Sequence, residues 1–327
     1  MHGKYFFIGD TNGNTGPNNV NKGIVSSLTE NFTFLHSHKT ISKFIEAIWK
    51  TLFCKVVIVS APSRCGIYMV KLARLLNKKS VYIMHGCCEI EFELNQTPRN
   101  EEILRQEQNL FQNVDLILPV SKKFSEMVQC KFPQYQSKIS FLHNGVEKPD
   151  INTTGIRRIK GSIIAVGGNR KVKNNITIAE AMKKTGIKGI LKVYGYLYNP
   201  DLLPKGENIK FEGLVSQEQL YHEMLSSELY VLNSIYEPFA LSVFDALFCG
   251  CSILISQYAG ALELLEVTEH DVIYNPMDKN EIATKITYLL EHPNNSRLIH
   301  NLNVSEISYH AEIKKLEKIC EKLIRSN

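Results

Sequence analysis

The chain has 327 residues, 44% of them hydrophobic and 22% charged, with a formal net charge of +5. That length suits two globular domains, and the composition is that of an ordinary folded chain rather than a disordered one. No apolar run reaches the roughly 20 residues of a membrane-spanning helix, and the opening Met1–Asp10 breaks too soon for a signal peptide. The mild charge gives no sign of a nucleic-acid partner. Eight cysteines without a Cys-x-x-Cys pair read as reduced, buried thiols of a cytoplasmic protein rather than as disulfides or a zinc site.

In chain order, strand-like runs fall at Tyr5–Gly9, Val56–Ser60, Val81–Met84, Leu116–Pro119 and Ile139–His143. Helical spacing fills Asn19–Glu30, Ile41–Phe53, Cys65–Asn77, Arg99–Phe111 and Lys122–Lys131. After a polar stretch, Lys148–Gly161, a second strand series follows at Ser162–Gly167, Leu191–Gly195, Ile209–Glu212, Leu229–Asn233, Ile253–Ser256 and Val272–Tyr274. Strands alternating with helices predict parallel sheets covered on both faces. The expected fold class is α/β: two Rossmann-like, doubly wound domains, 1–150 and 151–303, facing a cleft. Val304–Ile324 reads as one long helix, and about 304–327 is expected to pack back on the first domain.

Ligands of such sheets sit beyond the carboxyl ends of the strands. Four glycine-bearing strand exits occur in the second domain: Gly167-Gly168-Asn169-Arg170-Lys171-Val172-Lys173, Gly195, Gly213, and Gly260 after Tyr258-Ala259. Glycine lets backbone approach a ligand closely, and the basic side chains suit an anion. The segment Glu237-Pro238-Phe239-Ala240-Leu241-Ser242-Val243-Phe244-Asp245 places two acids eight residues apart behind the Leu229–Asn233 strand. Proline suits a first helical position, so a helix is expected to open there and offer free N–H groups to a phosphate. In the first domain, the glycine loop Thr11–Asn19 with Gly13 and Gly16 follows the first strand. His85 follows a later strand, and Asn144-Gly145 closes the domain.

With these residues in place, the chain resembles the retaining GT-B glycosyltransferases of the family-four type, the group 1 glycosyltransferases that include capsule and exopolysaccharide assembly enzymes. Their hallmark is Glu, seven residues, Glu; here Glu237 holds the first position and Asp245 the second. The resemblance implies that Glu237 lies by the donor sugar and Asp245 by the nucleotide ribose. Backbone N–H groups across Pro238, Phe239, Ala240 and Leu241 would hold the diphosphate. It gives Lys173 the family's lysine position, and Gly168 stands where the family has arginine, with Arg170 two residues along. Gly13, Gly16, Gly168, Asn169 and Gly195 would line the donor, His85 the reacting sugar, and Asn144 and Gly145 the acceptor side.

The activity so implied is transfer of a hexosyl or N-acetylhexosaminyl group from a nucleotide-diphosphate sugar, a UDP-sugar in particular. The acceptor would be a glycan or lipid-linked glycan, with retained configuration, no metal and no cofactor. Two alternatives stay open: a catalytically inactive partner subunit, and a sugar-nucleotide epimerase of the same architecture. Within residues 39–55, Ile41, Phe44, Ile45, Ile48, Trp49, Leu52 and Phe53 share one helical face, interrupted by Lys39, Lys43 and Lys50. Such a face either packs on the sheet or lies on an anionic membrane, which would make the protein peripheral at the inner membrane face.

Overall fold

The computed structural model describes residues 3–13, 16–37, 39–151, 155–185, 187–204 and 206–326. Asn14 and Thr15 of the first glycine loop, residues 152–154 of the polar stretch and the opening Met1-His2 lie outside the described residues. The chain divides into two compact units. One comprises 1–93, 97–147 and 304–327, the other 94–96 and 148–303.

Among the described residues, the first unit holds five parallel strands: β1 (Tyr5–Ile8), β2 (Phe32–Phe34), β3 (Val56–Ser60), β4 (Lys79–Met84) and β5 (Leu116–Pro119). Their order is β2-β1-β3-β4-β5. β1 and β3 are apolar at nearly every position and wholly buried, as strands covered on both faces must be. Successive strands leave on opposite sides of β1, so its carboxyl end and that of β3 flank a topological switch point. The helices are α1 (Gly16–Ser26), α2 (Thr40–Phe53), α3 (Arg64–Leu75), α4 (Cys88–Asn95), α5 (Glu101–Asn113) and α6 (Lys122–Lys131). Ser121 caps α6 by accepting from Phe124 N at 3.0 Å.

The second unit holds β6 (Ser162–Val166), β7 (Ile190–Tyr194), β8 (Ile209–Gly213), β9 (Leu229–Leu232), β10 (Ser252–Ser256) and β11 (Val272–Ile273). All pair in parallel, in the order β11-β10-β9-β6-β7-β8. The reversal lies between β6 and β9. α7 (Asn175–Thr185), α8 (Gln217–Ser226), α9 (Leu241–Phe248), α10 (Lys279–Glu291) and α11 (Asn295–His300) surround the sheet. Ile163, Ala165, Leu191, Val193, Val231 and Leu254 form its core with apolar residues of α7 and α10.

Three sequence expectations are corrected. Ile139–His143 is extended but not a strand: only Ile139 bridges β5, while Ser140 N and Leu142 N donate to Ile117 O and Pro119 O. Val304–Ile324 is two helices, α12 (Val304–Ile307) and α13 (Tyr309–Arg325). Ser308 interrupts them because its extended backbone lets its hydroxyl cap α13 at Ala311 N. The third concerns Pro238 and is taken up with the site.

Candidate active site

At the β6–β7 exits of the second unit, three glycines meet backbone to backbone. Gly167 N and Gly168 N both donate to Tyr194 O, at 2.7 and 2.8 Å. Gly168 has φ +61°, and a Cβ there would sit 2.0 Å from Tyr196 O; a Cβ on Gly195, φ +133°, would sit 2.4 Å from Gly168 N. No side chain fits either place. Asn175 at the start of α7 donates to Gly168 O at 2.8 Å and fixes the turn. The Asn169 side chain clasps Tyr198, donating to its O at 2.6 Å and accepting from its N at 2.7 Å. Asn169 therefore joins the β6 and β7 exits through its side chain.

A short 3-10 turn, Lys171–Lys173, follows. The half-buried Arg170 opens it and accepts from Lys173 N at 3.0 Å. The Lys173 stem lies over Gly167, where a Cβ would meet its Cγ at 2.6 Å. The bare glycine thus makes the path by which Lys173 reaches Glu237. Lys173 Nζ and Glu237 Oε2 form an ion pair with side chains only 15% and 11% exposed. Ser234, wholly buried at the β9 exit, donates to the same oxygen at 3.1 Å. A pair so withdrawn from water is held by added hydrogen bonds and costs much to break. It sits beside the switch point between β6 and β9, where open α/β sheets place ligands.

Glu237 is not on a helix. Its backbone bridges Ala259 in parallel, Gly260 N donates to Glu237 O at 3.1 Å, and Ala261 N donates to Phe239 O at 2.7 Å. This pairing keeps Glu237–Phe239 out of the helix, so Pro238 precedes α9 instead of opening it. The turn into α9 falls on Ala240 at φ 82°, and the helix starts at Leu241. The two acids therefore do not share one continuous helix. No side chain caps α9. Its opening backbone N–H groups lack a cap, which leaves the positive end of the helix to an anion.

Asp245 lies one turn into α9 and is half-buried. Its partner is Tyr221 of α8, whose hydroxyl lies 3.5 Å from Oδ1. Gln217 Nε2 donates to that same hydroxyl at 2.7 Å, so the phenolic proton is free to point at the carboxylate. Burial pushes the Asp245 carboxyl up to about 7, against the pull of the Tyr221 hydrogen bond. Such a carboxylate has room for more hydroxyl donors than it is given.

The first unit builds its exits differently. Asn18 Nδ2 and Asn21 Nδ2 donate to Asp10 O at 3.0 and 2.9 Å. Ser60 donates to Asn21 Oδ1 at 2.6 Å, and its oxygen lies 2.7 Å from His85 Nε2. With the serine proton spent on Asn21, His85 carries its proton on Nε2 and keeps its Nδ1 lone pair. Burial lowers His85 to about 4, with the Asn144 side chain opposing that shift, so the ring is neutral at pH 7. Gly13 packs on Asn18, where a Cβ would fall 2.5 Å from Oδ1, whereas a Cβ on Gly16, at the start of α1, meets nothing within 4 Å. Gly145 is explained by packing: a Cβ would lie 2.4 Å from Tyr309 Cα.

The structure thus brings Lys173, Glu237 and the start of α9 together in one unit and His85, Asn144 and the Asp10–Gly13 loop together in the other. Asn21, Ser60, Asn175, Tyr221 and Ser234 were not singled out by sequence. Ser234 had a signal, since Ser-x-x-Glu is the spacing of a side chain reaching an acid one turn on. Tyr221 had none.

Residues 152–303, nearly the whole second unit, match the family "Glycosyl transferases group 1". The second unit is a group 1 glycosyltransferase domain. The chain is 24% identical to the N-acetylgalactosamine-N,N'-diacetylbacillosaminyl-diphospho-undecaprenol 4-alpha-N-acetylgalactosaminyltransferase of Campylobacter jejuni, over 68% of this chain and 64% of that protein. It is likewise 24% identical to an uncharacterized glycosyltransferase of Methanocaldococcus jannaschii, over 79% of this chain and 72% of that protein. Solved structures with the same GT-B fold include Anabaena HepE in complex with UDP and glucose, at TM-score 0.68 and 12% identity, covering 98% of this chain and 100% of that one. The pneumococcal O-GlcNAc transferase GtfA in complex with UDP and GlcNAc has TM-score 0.60 and 18% identity, covering 89% and 61%. The chain carries two parallel-sheet Rossmann-like units, the second of them matched by the glycosyltransferase family.

Proposed function

We propose that this glycosyltransferase moves a hexosyl or N-acetylhexosaminyl group from a UDP-sugar to a lipid-linked or free glycan during surface polysaccharide or glycoconjugate assembly. Configuration is retained, and the enzyme works at the inner membrane face. The Campylobacter relative is named for an undecaprenol-diphosphate-linked acceptor, and HepE and GtfA were solved with UDP. The observation that carries the donor reading is the Lys173–Glu237 pair beside the uncapped start of α9.

The bond between the sugar C1 and the β-phosphate oxygen breaks as the acceptor oxygen bonds to C1. The acceptor proton passes to the departing diphosphate, so no side-chain nucleophile is required. Lys173, Arg170 and the N–H groups around Leu241 receive the charge that leaves, without a metal or cofactor. Each such preorganised donor is typically worth about 3 kcal/mol in the transition state. Glu237 holds Lys173 in place and faces the positive sugar. Asp245 and Tyr221 take the ribose hydroxyls, Gly168, Asn169 and Gly195 let the nucleotide approach, and His85 with Asn144 meets the sugar side.

The test is release of nucleoside diphosphate from a panel of nucleotide sugars. One donor is expected to be turned over slowly without acceptor, and Glu237→Ala to abolish that turnover. Binding of the nucleotide with no turnover of any donor, with or without glycan acceptors, would instead establish the inactive-partner reading. That reading draws on the Asp at 245 and its partial protonation near neutral pH.

A further inference from the structure

The face of α2 that sequence alone could place either inward or outward points outward. Ala47 and Thr51 are the buried residues of α2. Ile41 is 78% exposed, Ile45 63% and Trp49 54%, with Ile48, Leu52 and Phe53 also exposed. Ile41, Ile45, Ile48 and Leu52 recur at i, i+4, i+7 and i+11, a continuous stripe about 17 Å long at 1.5 Å per residue. The surface extends onto α3, which packs beside α2. Phe44 meets Tyr68 edge-on at 5.9 Å, and Tyr68 and Leu75 are themselves exposed, Leu75 at 81%. Lys78 ties the far ends of the two helices by donating to Leu52 O and Cys54 O, each at 2.6 Å.

Charge is concentrated on the same segment. From Lys39 to Lys79 there are nine Lys and Arg against one acid, Glu46, a net of +8. The whole chain carries +5, so the remainder is net −3. Lys39, Lys71 and Arg74 are exposed on this segment, and Lys71 stands between Tyr68 and Leu75 along α3. Glu46 is already engaged by Lys50 at 2.6 Å and by the backbone N–H groups of His36 and Ser37.

We infer that α2 and α3 together form a platform that seats the enzyme on an anionic lipid bilayer, with Ile41, Ile45, Ile48, Trp49, Tyr68 and Leu75 entering the headgroup boundary and the lysines meeting lipid phosphates. Two amphipathic helices lying side by side in the interface plane give more buried apolar area than either alone, and the basic charge adds attraction to anionic lipid. A second copy of the chain is a poor occupant, because two faces each carrying exposed Lys39, Lys71 and Arg74 repel. The platform deepens the lipid-linked acceptor reading by supplying the surface on which such an acceptor lies, and it rests on that reading only for its purpose.

Flotation of the full chain with phosphatidylcholine vesicles, with and without phosphatidylglycerol, tests it. Wild type is expected to float with phosphatidylglycerol vesicles at low salt, to lose most binding in high salt, and to ignore phosphatidylcholine alone. Ile45→Glu/Trp49→Glu and, separately, Lys71→Glu/Leu75→Glu should each weaken binding about tenfold or more, with unchanged melting and unchanged nucleoside diphosphate release. Loss from the α2 pair alone would confine the site to α2 and overturn the platform. No flotation of wild type, or a wild-type dimer that Ile45→Glu/Trp49→Glu converts to monomer, would overturn membrane docking and leave the donor chemistry intact. Loss of nucleotide turnover in every variant together with wild type would instead strike the donor reading.

Discussion

The two units reach the same end of a parallel sheet by opposite means. The second unit clears space with Gly167, Gly168 and Gly195 and sets one nearly buried ion pair, Lys173–Glu237, in the opening. The first unit uses a relay of uncharged groups, from Asp10 O through Asn21 and Ser60 to a neutral His85. The difference fits the role proposed for each. A departing diphosphate needs fixed charge and bare N–H groups, whereas a sugar hydroxyl is best met by neutral donors and acceptors that lose little on leaving water.

The strongest way to break this contrast is at the ion pair. Lys173→Ala is expected to lower sugar-nucleotide turnover by about 10²–10³-fold. It should also destabilise the fold by about 3 kcal/mol, because Glu237 is left charged without a cation. Denaturant melts of Lys173→Ala/Glu237→Gln should recover part of that stability while turnover stays lost. Equal stability of the single and double variants would show the pair to be solvated.

A smaller effect comes from glycine. Gly168→Ala combines φ +61° with a 2.0 Å clash against backbone and should cost more than about 2 kcal/mol. Gly16→Ala, in open space at the start of α1, should stay within about 0.5 kcal/mol. Urea unfolding of the two variants decides whether glycine is structural in both loops or in one.

A further pair of tests uses pH windows of opposite sign. Asp245 is raised from 3.8 to about 7, so its contribution to stability is complete below pH 3.8 and is lost as pH rises through 7. His85 is lowered from 6.5 to about 4, so its contribution is complete above pH 6.5 and is lost as pH falls through 4. Asp245→Asn should flatten the first window and His85→Gln the second in melts across pH. UDP affinity should rise through pH 7 in wild type as Asp245 ionises, and Tyr221→Phe should weaken it about fivefold through loss of one hydrogen bond.

Much of the architecture was legible because buried parallel strands are continuous apolar runs, as Val56–Ser60 and Ser252–Ser256 are. β2 escaped notice because three residues carry no period. α4 escaped because its start is held from elsewhere: Glu107, buried and 19 residues on, accepts from Cys88 N at 3.1 Å. The acids and glycines of the donor loops were legible as residue types at strand ends. Their mutual geometry was not, since the parallel bridge from Glu237 to Ala259 that postpones α9 joins residues far apart in sequence. The outward turn of the α2 stripe was equally hidden, because periodicity marks a face without saying where it points.

The return of residues 304–327 to the first unit bears on synthesis. α13 belongs to the first unit, where Tyr309 fills the room left by Gly23 and Gly145. The ribosome therefore finishes the second unit before the first can close. At about 5–20 residues per second, the five-stranded sheet waits roughly ten to thirty seconds between Glu147 and Tyr309 with part of its core uncovered. In this chain the part translated first is completed last, and a chaperone has that interval in which to act.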